Sequence, residues 1–141
     1  MKNFTITDHI QIAAPKEKVW EVLTTPEFMK QWDELPENYS GGNLQLNSTI
    51  EWEGYSKLTV TDFKENEILK LNMYLPKLSL DPSQYDVSYT YRLTESNGIT
   101  TLNFEIGDFS PLPDPQNYMD ATLEFVHGAK EKIKELAENS R

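Results

Sequence analysis

The chain has 141 residues, 38% hydrophobic and 11% aromatic, which supplies one hydrophobic core and excludes a disordered chain. Acidic residues number 23 and basic ones 13, for a net charge of −10, and the basic residues lack the clustering that nucleic acids and anionic membrane surfaces require. Cysteine is absent, which removes disulfides, thiolate metal sites and a cysteine nucleophile. No apolar run reaches the roughly 20 residues of a membrane span, and Met1-Lys2-Asn3-Phe4-Thr5 does not open a signal peptide. The expectation is one acidic, cytoplasmic domain over residues 1–141, without nucleic-acid or membrane partners.

Residues 4–12 alternate, with Phe4, Ile6, Ile10 and Ile12 on one side and Thr5, Thr7, His9 and Gln11 on the other. This predicts a half-buried strand in which Asp8 shares the apolar phase. The period then changes. Pro15 suits a first helical position, and Val19, Trp20, Val22 and Leu23 form the stripe of a short helix. Thr25-Pro26 restarts the chain as N-cap and N1 proline of a second short helix, whose apolar face is Phe28, Met29 and Trp32.

From Tyr39 to Phe109 the pattern is strand-like. Strands are expected at 44–46, 49–53, 57–63, 68–75, 85–94 and 99–109. Gly41-Gly42, Asn47-Ser48, Lys64-Glu65-Asn66 and Ser96-Asn97-Gly98 are among the breaks between them, and links this short imply antiparallel neighbours. After Pro111 and Pro113, Asp114-Pro115 opens a long helix that runs to about Asn139. Its broad face carries Met119, Leu123, Val126, Ala129, Ile133, Leu136 and Ala137, with Tyr118 and Phe125 flanking it. That face must be buried against the sheet. The order predicts an α+β fold: a curved antiparallel sheet around a C-terminal helix, with two short helices after the first strand.

The run Ile10-Gln11-Ile12-Ala13-Ala14-Pro15, continuing through Val19-Trp20 to Thr24-Thr25-Pro26-Glu27 and Trp32, resembles the opening of the SRPBCC/START-like (Bet v 1-like) superfamily. Within it, the chain is similar to the branch of activator of heat shock protein 90 ATPase homologues. Gly41-Gly42 matches that branch's glycine pair, and Gly98-Ile99-Thr100-Thr101-Leu102 its Gly-x-Thr strand entry. The resemblance covers nearly the whole chain and implies a helix-grip fold. Two departures stand out. The last helix has Tyr118 and Phe125 where the branch often has an early tryptophan, and the segment 75–82, with Pro76 and Pro82, is longer than usual.

Catalytic patterns are sparse. The two histidines, His9 and His127, fall on a polar strand phase and at the edge of the helix face, and neither sits in a nucleophile motif. Glu51 and Glu53 share a strand face, and Asp33, Glu34 and Glu37 form an acidic loop; solvated polar surface explains both. Gly41-Gly42 precedes no helix start or Lys-Ser/Thr pair and reads as a strand bend rather than a phosphate loop. No catalytic residue, metal or cofactor is expected.

The aromatic residues carry more information. Tyr85, Val87, Tyr89, Tyr91 and Leu93 share one strand face; Leu102, Phe104 and Ile106 share another, and Trp52 accompanies Ile50. A buried hydroxyl needs a partner, so inward tyrosines point to a cavity holding water or a ligand, or to hydroxyls that reach the sheet edge. A ligand cavity is expected between sheet and long helix, lined by Trp52, Tyr89, Tyr91 and Phe104, with Thr122, Val126 and Lys130 facing it. Lys130 is either a polar handle there, snorkels to water, or pairs with Asp8. The proline-rich segments 75–82 and 109–115 are expected to flank the mouth. Non-enzymatic binding of a small, largely hydrophobic molecule is the leading reading. The resemblance also implies two alternatives: a protein-interaction or co-chaperone module related to the ATPase activator, and an enzyme like the relatives that cyclise or dehydrate aromatic polyketides.

Overall fold

Alternation in the first strand becomes β1 (Ile6–Ile12), whose Ile6 and Ile12 are buried and whose Thr7, His9 and Gln11 are exposed. The chain is described by a computed structural model over residues 4–33, 39, 42–52, 56–75 and 85–139. Helix α1 (Lys16–Thr24) follows and buries Val19, Trp20, Val22 and Leu23. Helix α2 (Pro26–Trp32) starts at its N1 proline and buries Met29 and Trp32. Thr25 contributes its carbonyl, which accepts the N–H groups of Phe28 and Met29, and makes no side-chain cap.

The next five strands are β2 (Thr49–Trp52), β3 (Ser56–Lys64), β4 (Ile68–Tyr74), β5 (Val87–Ser96) and β6 (Ile99–Gly107). They join β1 in one antiparallel sheet of order β1-β6-β5-β4-β3-β2. Asn97 (φ 53°) and Gly98 (φ 79°) form the two-residue link between Ser96 and its partner Ile99, the positive-φ pair that a tight hairpin demands. A register shift between Val60 and Asp62 marks a bulge in β3, which adds to the bend of the sheet.

One expected strand is absent. Residues 44–46 leave the sheet because the Leu44 N–H donates to the Thr24 carbonyl (2.8 Å), and the chain then turns through Asn47 at φ 74°. Three alternating residues do not distinguish a strand from a loop that anchors one leucine. Gly42 (φ 73°) lies in a loop, not in a strand bend, and Gly41 is outside the described residues.

Helix α3 (Pro115–Asn139) lies across the concave face and buries Thr122, Val126, Ala129, Ile133 and Ala137 against β1, α1 and α2. Ile12, Val87, Leu102, Ile106, Val126 and Ile133 are fully buried in the shared core. Among the described residues, no helix is long and apolar enough to cross a membrane. The α+β helix-grip architecture follows from these elements.

Candidate functional site: an aromatic cavity beside the second helix

The last turn of α2 positions the first wall. Its apolar spacing turns Met29 and Trp32 inward, and the Trp32 indole N–H donates to the Val22 carbonyl (2.8 Å), which fixes the ring. Trp32 then meets Tyr91 edge-on (6.2 Å, 72°) and Phe125 of α3 at a tilt (6.4 Å, 42°). Strand β5 supplies the second wall. Antiparallel register sets Tyr91 opposite Leu69 and Phe104, and Tyr89 opposite Leu71 and Ile106, so alternation directs both phenols to the concave side. Phe125 also touches Tyr89 edge-on (6.2 Å, 74°).

Between these walls and β2–β4 lies a cavity of about 650 Å³. Trp32, Trp52, Tyr89, Tyr91 and Phe125 give it an aromatic lining, Leu58 and Met73 complete the apolar part, and Lys30, Gln31, Asp33 and Ser56 are its polar residues. Gln31 donates its amide N–H to the Glu27 carbonyl (2.9 Å) within α2. A separate cleft of about 450 Å³ on the outer sheet face is lined by Thr7, His9, Thr90, Arg92, Asn103 and Glu105 together with Asp8 and Phe104. Thr7, His9, Arg92 and Glu105 are the exposed alternate residues of their strands there.

The phenols are held neutral. Burial pushes the Tyr89 hydroxyl up to about 12, the Asp33 carboxylate adds to the rise, and a hydrogen bond with Thr122 partly offsets it. Tyr91 is pushed well above its ordinary value by burial, and then by Asp33 and Tyr89. The cavity thus combines aromatic surface with one carboxylate and one lysine. Among the described residues, acid–base capacity at its lining is confined to Asp33, Lys30 and two phenols that resist ionisation.

The residues expected from the sequence separate into three groups. Trp52, Tyr89 and Tyr91 line the cavity. Phe104 and Thr122 stand behind that lining: Phe104 packs edge-on against Tyr91 (5.5 Å, 73°), and Thr122 bonds the Tyr89 hydroxyl. Val126 and Lys130 are elsewhere. Val126 is fully buried in the core, and the Lys130 ammonium pairs with Asp8 (2.9 Å) between α3 and β1. Lys130 is therefore not a polar handle of the cavity.

Lys30, Gln31, Trp32 and Asp33 of the α2 end, Leu58 and Met73 of the strands, and Phe125 were not among the expected lining residues. The inward face of α2 and the flanking position of Phe125 are both readable in the sequence. Their convergence on Tyr91 is a tertiary fact. Of the two segments expected at the mouth, 76–82 lies outside the described residues. The other packs away from the cavity: Phe109 is fully buried, stacks on Tyr118 (6.2 Å, 8°) and donates its N–H to the Phe4 carbonyl. His9, Glu51 and His127 are exposed, while Glu34, Glu37 and Glu53 lie outside the described residues. Among the described residues, no cluster of three or more His, Asp or Glu side chains is arranged to hold a metal.

Similarity to known proteins follows the same architecture. Protein MLL2253 from Mesorhizobium loti superposes with a TM-score of 0.76 at 20% identity, covering 97% of this chain and 98% of that one. The Aha1 protein from Colwellia psychrerythraea, solved in solution as a dimer, gives 0.70 at 20% identity over 97% and 98% of the two chains. DynU16, from the dynemicin biosynthetic locus, gives 0.72 at 12% identity, covering 99% of this chain and 49% of that one. These identities establish a shared fold. No curated protein matches the sequence. Residues 13–139 match the family described as "Activator of Hsp90 ATPase homolog 1-like protein". With the helix-grip sheet and long C-terminal helix in place, the chain belongs to this family, in the SRPBCC/START-like (Bet v 1-like) superfamily.

Proposed function

We propose that the protein, acting as one helix-grip domain, binds a small, largely hydrophobic molecule without transforming it, in the cavity between α2, β2–β5 and Phe125. The observation that carries this reading is a cavity of about 650 Å³ with five aromatic lining residues. An open, aromatic-walled space of this size with polar residues at Lys30, Gln31, Asp33 and Ser56 has the character of a ligand site. Native mass spectrometry of freshly purified protein tests it. A co-purifying small molecule, released on unfolding and displaced by an apolar competitor, is the expected result. A chain that carries nothing and binds no apolar probe would overturn the reading.

Family membership supports a second reading, that of a protein-interaction module acting on Hsp90. Stimulation of a purified Hsp90 ATPase by this protein, abolished by surface variants that leave the cavity unchanged, would favour it. A polyketide cyclase-like activity is the weaker alternative, since the described lining offers only Asp33, Lys30 and two suppressed phenols as acids or bases.

A further inference from the structure

We propose that the cavity selects an amphipathic cation: a hydrophobic body carrying a quaternary ammonium or protonated amine, held among Trp32, Trp52, Tyr89 and Tyr91 beside the Asp33 carboxylate. This inference rests on the ligand-binding reading of the same cavity and specifies the chemistry of its ligand.

Three observations converge on it. First, the lining brings two indoles, two phenols and the Phe125 ring around one space. Aromatic faces carry negative potential and attract a cation more strongly as water is excluded. Second, Asp33 closes the end of α2 on the same space. Its carboxylate is near enough to both phenols to raise them, so its field extends across the aromatic wall.

Third, two of the N–H donors on the α2 wall, which an anionic or carbonyl ligand would need, are engaged within the protein. The Trp32 indole N–H is given to the Val22 carbonyl and an amide N–H of Gln31 to the Glu27 carbonyl. The cation that could have received a ligand carboxylate deeper along α3, Lys130, is bonded to Asp8 instead. Lys30 does line the cavity, but it is exposed on α2 and its charge is screened by solvent. The net charge of −10 biases approach toward cations as well.

Calorimetric titration of the full chain with three probes sharing one naphthyl body tests the proposal. Naphthylmethyl-trimethylammonium should bind about tenfold more tightly than naphthylmethanol, with naphthoate weakest. Asp33→Asn should remove about tenfold of the ammonium affinity and leave the alcohol unchanged. If the alcohol or the carboxylate binds wild type as tightly as the ammonium, cation selection is overturned while the cavity remains a ligand site. Ammonium preference persisting undiminished in a folded Asp33→Asn variant would also overturn it. If none of the three binds, the ligand-binding reading falls and the cation proposal with it. The wild-type ranking decides the matter even if the variant fails to fold.

Discussion

Tyr89 shows how one side chain serves both stability and the site. Its ring lines the cavity, burial and the Asp33 carboxylate oppose ionisation of its hydroxyl, and Thr122 bonds that hydroxyl. The proton is therefore held more tightly in the fold than in the unfolded chain, where tyrosine titrates at about 10. Stability from this group is complete below about pH 10 and falls as pH rises toward about 12. Melting temperature measured against pH should show an alkaline decline that Tyr89→Phe makes shallower. At neutral pH the same variant should lower stability by about 1 kcal/mol, because Thr122 is buried and loses its partner.

Asp8 behaves in the opposite sense. Burial would raise it, but the Lys130 hydrogen bond, the His9 backbone N–H, and the charges of Lys130 and His127 outweigh burial and hold it below the ordinary carboxylate value. Its contribution is present above about pH 4 and is lost as pH falls through the lowered value. Asp8→Asn should cost about 1 kcal/mol at neutral pH. The gap in melting temperature between variant and wild type should close on acidification.

At the scale of elements, two glycines separate tolerance from constraint. Gly128 sits on the exposed side of α3, and a Cβ there meets nothing within 4 Å. No close approach explains it, so Gly128→Ala should stabilise the protein by about 0.5–1 kcal/mol through better helix propensity. Gly107 ends β6 at φ 155°, and a Cβ there would lie 2.8 Å from the Thr5 Cα. Backbone cannot yield as a side-chain tip does. Gly107→Ala should cost about 2 kcal/mol or more, with faster amide exchange at Phe109, whose N–H bonds Phe4 beside it. Denaturant titration of the two variants checks both signs.

For the whole molecule, the decisive arrangement is the distribution of filled and empty space under α3. Val126 and Ile133 are fully buried against the sheet, whereas the α2 end, where Phe125 faces Trp32 and Tyr89, is open. The two regions should respond differently to added volume. Val126→Trp overpacks a dense core and should lose about 1–3 kcal/mol or more. Leu58→Trp adds volume at the lining and should be tolerated to within about 1 kcal/mol while blocking apolar probes. Thermal melts with probe titration distinguish the two.

Residue periodicity by itself determined the order of helices and strands, the inward phase of Tyr89, Tyr91 and Phe104, and the Asn97-Gly98 hairpin. Each depends on neighbours within a few positions, where a period of 2 or 3.6 assigns the faces. The short stretch 44–46 escaped that logic because a single tertiary hydrogen bond, from Leu44 to Thr24, outweighs three residues of alternation. Only the tertiary structure decided where along α3 the cavity opens, that α2 carries Trp32 and Asp33 to β5, and that Lys130 pairs with Asp8 rather than facing a ligand. A period tells which side of an element is buried but not which distant element fills the space above it. That choice is made by the curvature of the sheet and the docking of two short helices, whose contacts join residues far apart in the chain.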